Sequence, residues 1–136
     1  MDQGLNPNLA SELGETPLSE AAYLGNTATL KLLLEQGAKL ESRNQAGETP
    51  LMAAAKSMNT DNLSFLLDQG ANLQAKDHSG LTVLMHAVSG PSENVQLLLA
   101  RGADPQIKNL DGKTALDVAY AQGREKHFQV LSQAMG

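Results

Sequence analysis

The feature that most constrains this chain is a phrase that returns at a nearly fixed interval. Gly14-Glu15-Thr16-Pro17-Leu18 is followed by Gly47-Glu48-Thr49-Pro50-Leu51, Gly80-Leu81-Thr82-Val83-Leu84 and Gly112-Lys113-Thr114-Ala115-Leu116, at spacings of 33, 33 and 32 residues. Thr16 and Thr49 are each followed 21 residues later by Gly-Ala, at Gly37-Ala38 and Gly70-Ala71, whereas Thr82 precedes Gly102-Ala103 by 20, so the third unit is one residue short. A period of this length marks an array of stacked supersecondary units.

The chemistry inside each unit predicts two short helices. Thr caps the first helix through its side-chain oxygen, and Pro at the first helical position has its backbone pre-set for a helix. Leu18, Ala21 and Ala22 supply the apolar face of the first helix, and Gly25 is expected to end it in a left-handed conformation. Leu30, Leu32, Leu33 and Leu34 carry the second helix, which Gly37 ends. In the second unit Asn59 is expected to take the left-handed position, and in the third Ser89-Gly90-Pro91-Ser92 predicts a distorted turn. Helices this short are marginal alone in water, so neighbouring units must stack to bury their apolar faces. With aromatics at 3%, Leu and Ala must fill most of that core. Phe65, Leu66, Leu67 and Tyr120 are read as core, Tyr120 because it falls in the column of Ala22.

Thr-Pro-Leu, then Ala-Ala, then a Leu run, then Gly-Ala, in units of 33 residues, resembles the ankyrin repeat over about residues 14–136. The resemblance implies an all-α fold, an ankyrin-type α-solenoid of about four helix-turn-helix repeats with projecting β-hairpin-like loops. It divides the chain into repeats at 14–46, 47–79 and 80–111 and a C-terminal capping repeat at 112–136. The family usually has His after Thr-Pro-Leu, tying the helix start to the neighbouring loop. Ser19, Met52, Met85 and Asp117 stand there instead. Residues 1–13 read as the tail of a preceding repeat, because Asp2-Gln3-Gly4-Leu5-Asn6 is similar to Asp68-Gln69-Gly70-Ala71-Asn72. Gly4 precedes Gly14 by 10 residues, as Gly37 precedes Gly47. The expectation is therefore a piece of a longer protein, and an upstream targeting signal is compatible with it.

Several function classes are disfavoured. With 136 residues there is room for one domain, and with no Cys there is no disulfide framework or thiolate metal site. A net charge of −5 argues against nucleic acid or anionic lipid, which require clustered cations. No apolar run approaches a membrane span and no signal peptide follows Met1. The sequence has no His-Glu-x-x-His, phosphate-cradling Gly loop or Gly-x-Ser-x-Gly elbow. His78, His86 and His127 fall on different units and are read as surface residues, with no shared metal. No catalytic residue, cofactor or metal is expected, and the chain is read as not an enzyme.

The resemblance implies instead a concave binding face made of loop tips and the exposed ends of the first helices. Carried over residue by residue, the tips give Glu12, Leu13 and Glu15; Arg43, Gln45 and Glu48; Lys76, His78 and Leu81; and Lys108, Leu110, Asp111 and Lys113. The first-helix ends give Tyr23, Leu24, Lys56 and Ser57. Residues 1–24 hold Asp2, Glu12, Glu15 and Glu20 with no Lys or Arg, while Lys56, Lys76, Lys108 and Lys113 follow. A partner protein with a matching charge gradient is the expectation. The function implied is a protein–protein interaction module of adaptor or scaffold type; the alternative is a regulatory domain that blocks an enzyme in trans or in the same longer chain. A cytoplasmic monomer is expected.

Overall fold

The computed structural model describes residues 6–136. Of the likeness between the N-terminal segment and residues 68–72, all but Asn6 lies outside the described residues. The recurring phrase becomes four helix-turn-helix pairs: α1 (Pro17–Leu24) with α2 (Thr27–Glu35), α3 (Pro50–Ala55) with α4 (Thr60–Asp68), α5 (Val83–Ala87) with α6 (Ser92–Ala100), and α7 (Ala115–Ala121) with α8 (Glu125–Met135). First helices stack on first helices and second on second, giving two layers. The described residues contain no named strand, only one antiparallel bridge between Lys76 and Thr82.

Local chemistry starts every first helix in the same way. Thr16, Thr49, Thr82 and Thr114 each accept the backbone N–H three residues on. In the last unit Asp117 returns the bond, its carboxylate accepting the Thr114 N–H at 3.0 Å. This backbone bond holds the Asp117 carboxyl below the usual carboxylate range.

The core runs through all four pairs. Leu18, Leu30, Leu51, Met52, Leu63, Leu66, Val83, Leu84, Leu98 and Leu131 are essentially inaccessible. Each such side chain gains roughly 1.5–3 kcal/mol from leaving water. Phe65 and Leu67 pack against this core from its edge. Tyr120 does not belong to it, contrary to the column rule. Ala22, Ala55 and Val88 in that column are fully buried, whereas Tyr120 is 76% exposed, because no described unit stacks beyond α7. Its ring tilts against Phe128 instead, with centroids 5.9 Å apart.

Two glycines are fixed by close approach. Gly47 has φ +81°, and a Cβ there would meet the His78 backbone nitrogen at 2.9 Å. At Gly90 a Cβ would lie 2.6 Å from the Ala55 carbonyl oxygen, so the third unit's inter-helix turn must contain glycine to reach the second unit. The missing residue is absorbed in that turn. Val88, Ser89 and Gly90 wind on by N–H bonds to the third residue back, and Pro91 caps α6 with φ −67°. Gly25 and Asn59 are not left-handed as expected; they have φ −95° and −95°. Gly25 approaches the Ala21 carbonyl closely, and Asn59 serves α4 as its N-cap.

Polar ties bind the pairs together. Asn62 donates to the carbonyls of Ala22 and Gly25, both at 3.1 Å, and Asn94 donates to those of Ala55 and Ser57, both at 2.9 Å. His127 occupies the same place in α8, with Nε2 2.7 Å from the Gly90 carbonyl oxygen. Since a carbonyl can only accept, Nε2 carries the proton. These buried second-helix side chains tie each unit to the end of the preceding unit's first helix, not to the helix start where a His was expected. An ion pair between Arg101 and Asp68, at 2.8 Å, also links two units but is exposed. Exposed pairs contribute little. Arg101→Ala is therefore expected to lower stability by less than about 1 kcal/mol in a urea titration.

Candidate functional site

The loop tips are built by one device repeated. Asn44, Asp77 and Asn109 each accept, on Oδ1, the backbone N–H groups two and four residues on, closing the turn around the tip glycine. Adjacent tips are joined by Gln45 N–H to Leu13 O, His78 N–H to Ala46 O and Leu110 N–H to Ser79 O, at 2.9, 2.9 and 3.1 Å. Arg43 clamps two tips by donating to the carbonyls of Gly47 and Lys76, and the Gln45 side chain donates to the Glu12 carbonyl. The tips therefore form one ribbon along the edge of the solenoid.

Most of the expected surface residues lie on that ribbon or beside it. Glu12, Gln45, Lys76, His78, Lys108, Asp111 and Lys113 are exposed, as are Leu13 and Leu110 at 66% and 78%. Arg43 is exposed but committed to its two carbonyls. One expected residue is not surface, and another is only partly exposed. Ser57 is buried, its hydroxyl accepting the Asn59 N–H and its carbonyl held by Asn94 under α6. Leu81 is half-buried and packs against the core, since an apolar side chain next to the Thr82 cap gains more there than in water.

A groove of about 360 Å³ lies between α1, α3 and the adjoining tips, lined by Glu15, Ser19, Glu20, Tyr23, Leu24, Asn44, Glu48, Thr49, Ala53 and Lys56. Tyr23 and Leu24 are exposed at 49% and 80%. Asn44 bridges two carboxylates, donating from Nδ2 to Glu15 and, at 2.8 Å, to Glu48. The groove therefore holds Glu15, Glu20 and Glu48 against one cation, Lys56, which is 3.8 Å from Glu48.

His86 and His127 are buried, not surface histidines as expected. His86 Nε2 is 2.9 Å from Asp77 Oδ2 and 4.0 Å from Glu48 Oε2. Burial holds its imidazole below the usual histidine range, with Lys56 adding to that, although Asp77 and Glu48 pull upward. Glu48, Asp77 and His86 present ligand atoms all within 4.8 Å of one another, the one such group among the described residues. The set mixes one histidine with two carboxylates, so the histidine positions alone do not reveal it; Asp77 in the column of Asn44 and Asn109, and His86 in the column of Ala53 and Val118, are its marks in the sequence.

Stacked two-layer helical pairs with projecting tips define an α-solenoid whose exposed surface is an extended face. The family described as ankyrin repeats, in three copies, matches residues 1–77 and 18–109, together most of the chain. The chain belongs to the ankyrin repeat family, whose members are generally protein–protein interaction modules. No curated protein matches it at a significant level. None of its described helices is long and apolar enough to cross a membrane.

Proposed function

We propose that this chain is a protein-binding module of adaptor or scaffold type, which takes its partner on the face formed by the tips and first helices. The observation that carries this reading is the groove between α1 and α3, where exposed Tyr23 and Leu24 stand over Glu15 and Glu20. Tyrosine is enriched in the residues that dominate binding energy, and an apolar wall beside carboxylates suits a partner segment that is apolar and basic by turns. The exposed tip cations Lys76, Lys108 and Lys113 extend the face towards acidic partner groups.

The test compares the parent with a Tyr23→Ala, Leu24→Ala, Lys56→Ala variant of equal helicity. A partner captured by the parent and then purified is expected to bind the variant at least about 30-fold more weakly, as loss of an anchoring residue does. Equal affinity for both would remove the binding site from this groove.

A further inference from the structure

The repeat supplies its own control for what the fold requires at each junction between units. Where the first and second units meet, the three equivalent positions are Glu15, Asn44 and Ala53; where the third and fourth meet they are Leu81, Asn109 and Val118. At the middle junction they are Glu48, Asp77 and His86. At the first junction the Asn44 amide is the donor that bridges carboxylates. At the middle junction Asp77 replaces that amide and offers no donor, so two carboxylates face each other with an imidazole between them. The solenoid does not need this set, because both neighbouring junctions are built without it.

We propose that Glu48, Asp77 and His86 form a binding site for one divalent transition-metal ion of the zinc class. The donor set is imidazole nitrogen with two carboxylate oxygens, which zinc accepts. Ligands about 2.0–2.2 Å from a tetrahedral ion stand roughly 3.3–3.6 Å apart. The distances from His86 Nε2, 2.9 Å to Asp77 and 4.0 Å to Glu48, bracket that value. Each carboxylate is already oriented by its other oxygen. Asp77 Oδ1 is held by the N–H groups of Ser79 and Leu81, both at 2.9 Å, leaving Oδ2 for the ion. Glu48 Oε1 is held by Asn44, leaving Oε2. His86 is fixed by its place in α5 and by burial. Such outer partners are what a metal site needs to keep its ligands aimed. On binding, Nε2 releases the proton that it donates to the Asp77 carboxylate and Nδ1 takes one up from solvent, so the ring stays neutral with Nε2 free to coordinate. Lys56, half-buried and paired to Glu48, turns away to solvent as the ion replaces its charge. With three protein ligands, a fourth position is open to water or to a partner's side chain.

The experiment is calorimetric titration of the whole chain, stripped with chelator, with zinc chloride alone. One ion per chain is expected, with micromolar affinity or better. Two variants copy residues that the neighbouring units already carry: Asp77→Asn, as at Asn44 and Asn109, and His86→Ala, as at Ala53. Each is expected to fold and to weaken zinc binding at least about tenfold, the order seen when a metal site loses a supporting group. Should either fail to fold, Glu48→Gln serves the same purpose on a half-exposed side chain. Cobalt in place of zinc should give the parent, but not the variants, a visible ligand-field band. No binding in the micromolar range would overturn the proposal. So would binding unchanged in the variants, or binding abolished by His78→Ala, which would place the ion on the exposed tip histidine.

Discussion

Leu66→Ala is expected to lower the unfolding free energy by about 2–5 kcal/mol and to move the whole urea transition, followed by far-UV circular dichroism, to lower denaturant. Leu66 has no exposed surface, and α4 packs on α1, α2, α3 and α6, so the helix that carries it lies between both neighbouring units. Removing it loses the transfer free energy of the missing atoms and leaves a cavity that close-packed helices fill only in part. The loss is a large share of the roughly 5–15 kcal/mol that holds a domain folded. Position along the array decides the form of the effect. A solenoid's stability is approximately a sum of unit and interface contributions, so a lesion in an interior unit weakens two interfaces at once. Leu131→Ala deletes an equally buried leucine from α8, which packs chiefly on α7 and α6. That variant is expected to fray the last unit first and so to broaden the transition. If Leu66→Ala shifted the midpoint no more than Arg101→Ala does, Leu66 could not occupy the centre of the stack.

How much of this was legible in the sequence depends on whether a feature repeats. The Thr caps, the Leu runs and the left-handed Gly37, Gly70 and Gly102 recur in register, so one unit's chemistry predicts the next. Tyr120 broke the rule because burial in its column depends on a following neighbour, and that is a property of position in the array rather than of the residue. Gly25 misled for another reason: glycine answers both to a left-handed backbone and to a close approach, and the sequence cannot say which demand it meets. Of the candidate face, the exposed Tyr23 and Leu24 were readable from helix phase, while Ser57 was lost to its contact with the next unit and Leu81 sits half-buried against the core. The Glu48–Asp77–His86 set escaped notice because its members are scattered along the chain and only Glu48 lies in the recurring phrase. Only Asp77 and His86 depart from their columns, since Glu48 matches Glu15.

Asn94→Ala is expected to cost about 2–3 kcal/mol, a large effect for a polar side chain, and Asn94→Asp to cost more. Asn94 is fully buried, and one amide nitrogen serves two carbonyls of the preceding unit, Ala55 and Ser57, at the end of α3. Those carbonyls have no further helical turn to accept from, and α6 shuts water out. Deleting the donor leaves buried acceptors unsatisfied, at roughly 1–3 kcal/mol for a group, and opens a small cavity besides. The amide oxygen of Asn94, buried with no partner, contributes nothing that alanine would lose. That asymmetry makes the donor the functional half of the side chain. Aspartate keeps the shape but replaces the donor with a buried anion facing two carbonyl oxygens, which is worse than a gap. The parallel at α8 gives the discriminating measurement. His127 performs the same tie to Gly90 with Nε2–H, so His127→Asn, which restores the residue found at this place in α4 and α6, should keep most of the stability that His127→Ala loses. Equal losses for His127→Asn and His127→Ala would mean that ring packing, not the donated hydrogen bond, ties the last unit to the stack.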